Sequence, residues 1–308
     1  MNNKIKKNIK LFFLFLILLL SYFYIKNHLD EFKKILDLNF YQFIILSSLT
    51  FIGFLLNGYI FNTLLELFNV NLKIKEWFSL SILNNYSNYF LTKGGQVLRS
   101  IYLKKKHQFP YKNYILIFIF NNLLIIFSIS LVVIFTSFFK FLHQLNFNFN
   151  LIIFFTLLSI ITIIPFFLSK RILKFFSPKF KHWAETITRW IIIRHNKKIA
   201  IKIIFLTTLL IFWGSFRIFL IYKMLFTPIL FSSALIIVSI SLLSPFISIT
   251  PAALGIREFV MSYAAKLAGE DFAIATAVAT TDRVVSMIWV FILGSIISVC
   301  FYKKNSLE

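Results

Sequence analysis

Residues 244–258, with the sequence SPFISITPAALGIRE, decide what kind of fold the chain can adopt. They follow an apolar run, and Pro251 and Gly255 then interrupt the backbone. Arg257 and Glu258 come next, before more apolar sequence. A bilayer tolerates a broken backbone only where protein or a water-filled cavity surrounds it, and ionisable groups at membrane depth mark functional sites by default. The stretch therefore predicts a polar site inside a membrane domain, with a surface loop as the alternative.

The composition agrees with a membrane domain. Of the 308 residues, 59% are hydrophobic and 14% are charged, whereas an ordinary soluble domain has roughly 25% charged residues. The long apolar runs predict an all-α, polytopic integral membrane protein. The net charge of +22 points to cytoplasmic loops and anionic lipid heads rather than to nucleic acid.

Few kinds of enzyme chemistry are compatible with this sequence. Cys300 is the single cysteine, so it predicts neither a disulfide framework nor a thiolate metal site. The five histidines are scattered, and nucleotide-binding and nucleophile motifs are missing. We expect no catalytic residue, metal or cofactor, and we expect a transporter more than an enzyme.

Hydropathy and charge predict the topology of the first half. A basic N-terminus precedes an apolar run at 11–25, which we interpret as an uncleaved anchor that begins in the cytoplasm and leads to an outer loop ending at residue 39. Residues 41–65 are long enough to cross. Residues 77–91 are short and contain three asparagines, and 92–112 carry six cations. We expect a re-entrant or tilted segment returning to the cytoplasm, with a short full span as the alternative.

The middle of the chain, 140–202, combines spans with a basic loop. Predicted spans at 114–139 and 151–168 are joined by an outer loop whose formal cation is Lys140. Residues 170–202 hold ten lysines and arginines against one glutamate, which places this loop in the cytoplasm. Its apolar residues recur at helical spacing and predict an amphipathic helix in the membrane interface; a loop that only fixes topology is the alternative.

The second half, 203–308, contains the opening stretch. A span at 203–225 carries Arg217, which we expect to reach an interface or a carbonyl rather than a ligand. Asp282 and Arg283 precede a final span at 284–302, and the combined length predicts a half-helix joined to that span. The whole chain, 1–308, is thus predicted to be one transmembrane domain with seven or eight spans and one or two broken or re-entrant segments.

A similar skeleton occurs at 92–99 in the first half and at 250–257 in the second. Each segment sets a threonine and an arginine seven residues apart across a glycine-bearing break, giving Arg99 and Arg257. Paired broken helices in two halves indicate a transport site at the midplane. The planar guanidinium of an arginine and the free N–H groups at a helix N-terminus both bind phosphate well. Glu258 would pair with an arginine until the phosphate displaces it.

In the segments 92–99 and 250–258 the chain resembles the lysylphosphatidylglycerol synthase transmembrane, or flippase-like, family. The first family motif matches Gly95–Arg99, with Gln96 where a glutamate is usual. The second matches Pro251–Glu258, with alanines at 252 and 253 where glycines are usual, and Arg283 matches a further family position. The resemblance covers roughly residues 40–302. Together with the charges, it predicts substrate-binding residues Gly95, Arg99, Pro251, Gly255, Arg257, Glu258 and Arg283.

The resemblance implies a cytoplasmic-membrane protein that handles phospholipids or polyprenyl-linked lipids. We expect it to bind and translocate such an anionic lipid. One alternative is the membrane subunit of a lipid-modifying or glycosyl-transferring system, with a separately encoded soluble synthase or glycosyltransferase as partner. The other is a lipid-binding scaffold. Full-length family synthases add a soluble domain, so we do not expect aminoacyl transfer by residues 1–308 alone.

Overall fold

A computed structural model describes five segments of the chain, namely residues 39–145, 148–167, 196–225, 227–247 and 249–305. These segments are helical and contain no strand, which confirms the predicted all-α class. The predicted N-terminal anchor and most of the predicted amphipathic loop helix lie outside the described residues. The single domain and the total of seven or eight spans therefore stay predictions.

The helices are numbered here in chain order over the described segments. They are α1 Phe40–Leu65, α2 Ile74–Phe90, α3 Gly94–His107, α4 Tyr111–Leu142, α5 Phe149–Phe167, α6 Lys197–Met224, α7 Phe231–Ser241, α8 Ser244–Ile247, α9 Ile256–Leu267 and α10 Phe272–Asn305. Two short 3-10 turns, Glu66–Phe68 and Pro251–Ala253, follow α1 and precede α9.

Four of these helices are long and apolar enough to cross a bilayer, which needs about 20 residues. They are α1 with its 3-10 turn, α4, α6 and α10, at 28 to 32 residues of apolar helix each. Phe149–Ile164 and Phe231–Ile247 are shorter apolar helices. The predicted spans at 41–65, 114–139 and 203–225 thus coincide with α1, α4 and α6, and the chain is a multi-pass membrane protein.

The short segment after α1 is a helical hairpin, called here the first hairpin (α2 and α3). At about 1.5 Å per residue, the 17 residues of α2 rise roughly 25 Å, which falls short of a bilayer core about 30 Å thick. The chain turns at residues 91–93, and α3 runs back along α2. Glu76 at the start of α2 forms an ion pair with Lys106 near the end of α3. Both open ends of the hairpin therefore lie together, as a re-entrant segment requires.

The opening stretch forms a second hairpin (α7, α8 and α9). Its break contains the 3-10 turn Pro251–Ala253, and α9 begins after Gly255 and packs on α7. The Gly255 backbone N–H donates to the Glu258 carboxylate over 2.9 Å, which caps α9. The Thr250 hydroxyl donates to the Leu254 carbonyl over 2.8 Å and closes the turn. A broken helical segment is thus confirmed in the first hairpin and in the stretch 244–258.

The two hairpins enter the bundle from opposite ends. The first opens at the end that carries Lys104, Lys105 and Lys106, called here the basic end, where Lys202 of α6 also pairs with Glu66. The second opens at the other end of the bundle, where α4 terminates. Their tips therefore approach each other between the two ends of the bundle.

Lys140 corrects one sequence expectation, because it lies inside α4 rather than in an outer loop. Only 1% of the residue is exposed. Its ammonium donates to the Ala268 carbonyl over 2.9 Å and to the Ser233 hydroxyl over 3.3 Å. The cation is retained there because it satisfies a carbonyl at the C-terminal end of α9, and it ties α4 to the open end of the second hairpin.

The predicted half-helix before the last span is also wrong, because α10 is one continuous helix of 34 residues. No glycine or proline occurs between Phe272 and Gly294, so nothing in the backbone chemistry breaks it. Asp282 and Arg283 remain within the helix because arginine and glutamate side chains from other helices neutralise them.

Candidate functional site

A cavity of about 390 Å³ lies between the tips of the two hairpins and helices α1, α6 and α10. Its volume falls within the range of roughly 300–1,000 Å³ that is typical of small-molecule sites. Thr92, Lys93 and Gln96 line it from the first broken segment, and Ala252 and Arg257 line it from the second. The two segments that the sequence pairs by their similar skeleton therefore meet at one cavity.

Asp282 is the centre of the charge network in this cavity. Its carboxylate is 1% exposed and lies 2.6 Å from an Nη of Arg217 and 2.8 Å from an Nη of Arg257. Arg217 also donates to the Thr50 hydroxyl over 3.1 Å. A buried carboxylate is stable only when it is paired, so Asp282 holds two guanidinium groups from α6 and α9 side by side.

A second ion pair, between Arg283 and Glu258, stabilises the break of the second hairpin. Arg283 also donates to the Ala252 carbonyl over 3.1 and 3.2 Å and to the Ala253 carbonyl over 3.3 Å. Glu258 meanwhile caps Gly255. The expected pairing of Glu258 with an arginine is therefore present, and its partner is Arg283 rather than Arg257.

The backbone of this break is strained. Ala252 has a φ of 49° and Ala253 a φ of 54°, in the left-handed region where a Cβ costs roughly 1–2 kcal/mol per residue. Arg283 holds both carbonyls and stabilises this conformation. Strain of this kind clusters at ligand sites, and here it shapes the cavity wall without glycine.

Arg257 is the most exposed of the three guanidinium groups that line the cavity. Its side chain is 34% exposed, and within the described segments its hydrogen bond to Asp282 uses one of five N–H groups. Lys93 is exposed at the same cavity. Four cations (Lys93, Arg217, Arg257 and Arg283) and two carboxylates (Asp282 and Glu258) leave a net charge of +2, from four minus two. The site is therefore suited to an anion.

Arg99 lies away from the cavity. Its Nε donates to the Leu80 carbonyl over 3.2 Å, and its guanidinium stacks on the Phe61 ring at 4.3 Å. Gly95 is also not part of the lining and lies against the backbone of Asn84. Both residues contact the first hairpin's own backbone, and neither lines the cavity.

The remaining predicted residues belong to the second hairpin and to α10. Arg257 and Arg283 line the cavity. Glu258 is not part of the lining and forms an ion pair with Arg283. Pro251 and Gly255 shape the break but do not line the cavity. The structure thus brings the second motif and Arg283 together, and leaves Arg99 apart.

Sequence reasoning misses two members of the network, Arg217 and Asp282. The sequence assigns Arg217 to an interface or a carbonyl and Asp282 to the start of a span, yet each lies within an apolar helix and pairs with the other. The available signal is that one cation and one anion occur at helix-interior positions. Such groups in membranes usually pair with one another.

An all-helical bundle with long apolar spans, two broken hairpins and a charged internal cavity defines a polytopic membrane protein. The chain belongs to the family described as the lysylphosphatidylglycerol synthase TM region, whose family model matches residues 8–294. This confirms the resemblance and links the chain to lipid modification in membranes. No curated protein and no solved structure gives a significant match to the chain.

Proposed function

We propose that the protein binds an anionic phospholipid or polyprenyl-linked lipid by its phosphate and translocates it across the cytoplasmic membrane. The observation that carries this proposal is Arg257, whose spare donors face a cavity with a net charge of +2 between the tips of two broken hairpins. A planar guanidinium forms two parallel hydrogen bonds with a phosphate. In this proposal Arg257 is the main phosphate ligand, and Lys93 is the second.

Asp282 has the role of a counter-ion in this proposal. It keeps Arg217 and Arg257 within reach of each other while no lipid is bound. An arriving phosphate competes for the Arg257 fork, and Asp282 keeps its contact with Arg217. Because Arg283 and Glu258 remain paired, the shape of the second hairpin does not depend on the lipid.

The paired hairpins supply a route for translocation. They enter from opposite ends of the bundle, and each contributes its broken tip to the cavity. Transporters with inverted repeats place their substrate between two such broken segments, and rocking of one half against the other opens the site alternately. A lipid phosphate held at Arg257 would thus be reached from either leaflet in turn.

We further propose that the basic end faces the cytoplasm, as the positive-inside bias requires. On a Cys300→Ser background, Lys105→Cys at the basic end should react with a membrane-impermeant maleimide only after the cells are lysed. His143→Cys, which is exposed at the opposite end, should react in intact cells. Labelling with the reverse pattern would contradict this orientation.

Translocation is tested in proteoliposomes containing a fluorescent phosphatidylglycerol, with the fraction of accessible fluorophore measured over time. Arg257→Ala should reduce the rate at least about tenfold, because a charge-assisted hydrogen bond contributes roughly 1.5–3 kcal/mol. Lys105→Ala is the matched control, since it removes the same charge from an exposed position outside the cavity. If Arg257→Ala, inserted at the wild-type level, translocates as fast as Lys105→Ala, the proposal is wrong.

A second candidate is the membrane subunit of a lipid-modifying system, with a separately encoded soluble synthase or glycosyltransferase as partner. The family description, which names a synthase, favours it. A measurement of phosphatidylglycerol binding beside the translocation assay distinguishes the two functions. Lipid binding that depends on Arg257, without any translocation, would favour the subunit.

A further inference from the structure

We infer that the cavity selects an anionic lipid whose head carries hydroxyl groups and no amino group, such as a glycerol- or sugar-bearing phosphodiester. This inference rests on the proposed function and names the substrate class of the same site. It depends on two observations about the cavity. One is the chemistry of the cavity wall that α1 and the first hairpin form, and the other is that both acidic side chains near the cavity are already paired with arginines.

One wall of the cavity is rich in neutral hydrogen-bonding side chains. The arginines come from α6, α9 and α10, whereas α1, α2, the turn at 91–93 and the first turn of α3 contribute amides and a hydroxyl, beside Lys93, at Asn57, Asn85, Asn88, Thr92 and Gln96. Amides both donate and accept hydrogen bonds, as hydroxyl groups do. This wall can therefore form paired hydrogen bonds with a polyhydroxyl head while the phosphate lies on Arg257.

Several of these amides have groups available for a ligand. Within the described segments, the Asn85 nitrogen donates to the Ser81 carbonyl over 3.1 Å and leaves the Asn85 oxygen free. The Asn88 oxygen accepts from the Gly95 N–H over 2.9 Å and leaves the Asn88 nitrogen free. The Gln96 side chain has no hydrogen bond to any described residue, and it is only partly buried at the cavity.

A headgroup with an amino group would find no unpaired carboxylate among the described residues near the cavity. Among the described residues near the cavity, the carboxylates are Asp282 and Glu258. Asp282 contacts Arg217 and Arg257, while Glu258 contacts Arg283 and caps Gly255. An added ammonium would instead meet Lys93 and the arginines, and like charges brought together cost free energy.

The test uses the purified full-length protein in detergent and three lipids with identical acyl chains. Phosphatidylglycerol offers hydroxyls, phosphatidylpropanol has the same phosphodiester charge without hydroxyls, and lysylphosphatidylglycerol carries amino groups. We expect phosphatidylglycerol to bind about fivefold more tightly than phosphatidylpropanol, since one net hydrogen bond contributes roughly that factor. Lysylphosphatidylglycerol should bind at least about tenfold more weakly than phosphatidylglycerol, because its ammonium groups remain unpaired.

Two substitutions at one position sharpen the test. Gln96→Leu keeps a similar volume and should bring phosphatidylglycerol down to the affinity of phosphatidylpropanol. Gln96→Glu adds a free carboxylate to the wall and should raise the affinity for lysylphosphatidylglycerol about tenfold relative to phosphatidylglycerol. Should either variant fail to fold, the three-lipid comparison on the wild-type protein decides by itself.

The outcomes separate this inference from the proposed function. If the three lipids bind equally, or the amino lipid binds most tightly, and Arg257→Ala still abolishes binding, then the headgroup inference fails and the phosphate site remains. If no anionic lipid binds better than a neutral lipid and Arg257→Ala changes nothing, the proposed function itself fails.

Discussion

Asp282→Asn is expected to lower the free energy of unfolding by about 3 kcal/mol. The substitution keeps the size of the side chain but removes the charge that Arg217 and Arg257 share. Two guanidinium groups then face each other without a counter-ion, and one of them, Arg217, is 17% exposed. Breaking a buried pair by removing one partner is costly because the remaining charge is uncompensated. Thermal unfolding of the detergent-solubilised protein measures the loss.

Asp271→Asn is the matched control, since it makes the same chemical change at an exposed position. Asp271 accepts from the Ile274 N–H over 2.9 Å at the start of α10, and asparagine caps a helix about as well. We therefore expect a change below about 0.5 kcal/mol. Adding Arg217→Met to Asp282→Asn should recover part of the stability, because it removes one unpaired cation. Equal unfolding temperatures for Asp282→Asn and Asp271→Asn would contradict the role of Asp282.

The spans and the breaks of the fold are predictable from the sequence because the bilayer imposes them. A span needs about 20 apolar residues, so the predicted segment 41–65 matches α1 to within one residue, and 203–225 begins six residues after the start of α6 and ends one residue after its end. Proline and glycine in the stretch 244–258 likewise predict the break of the second hairpin, since a helix there would lose hydrogen bonds.

The pairing of charges is not predictable in the same way. Arg217 and Lys140 lie in apolar helices. The sequence is equally compatible with a cation that reaches the membrane interface and with one that pairs with a group inside the bundle. Only the tertiary structure brings Arg217 to Asp282 and Lys140 to the Ala268 carbonyl. The same holds for α10, whose continuity depends on partners from distant helices.

The similar skeletons of the two broken segments predict the location of the cavity but not the role of each arginine. Arg257 lies in the first turn of α9 and faces the cavity. Arg99 lies further along α3, and helical rotation turns it towards Phe61 and Leu80. Equal spacing in sequence therefore does not give equal direction, because the two helices begin at different points after their breaks.

Gly95→Ala is expected to destabilise the protein by about 3 kcal/mol, because α2 and α3 pack too closely at this position for a methyl group. A Cβ on Gly95 would lie 2.6 Å from the Asn84 Cα, and the obstacle is backbone rather than a flexible side chain. The hairpin would have to separate at its tip, where the Asn88 amide oxygen accepts from the Gly95 N–H. The loss is measured as a lower midpoint of thermal unfolding and as a lower affinity for phosphatidylglycerol, since Gln96 moves with the tip.

Gly53→Ala supplies the control for this prediction. Gly53 lies within α1, and a Cβ there would have no neighbour within 4 Å. Alanine is the better helix former by roughly 0.8–1 kcal/mol, so this variant should be as stable as the wild type or more stable. A Gly95→Ala protein that unfolds at the same temperature as Gly53→Ala would show that the two helices of the first hairpin are not in close backbone contact. The position of Gln96 at the cavity, which depends on that contact, would then be wrong as well.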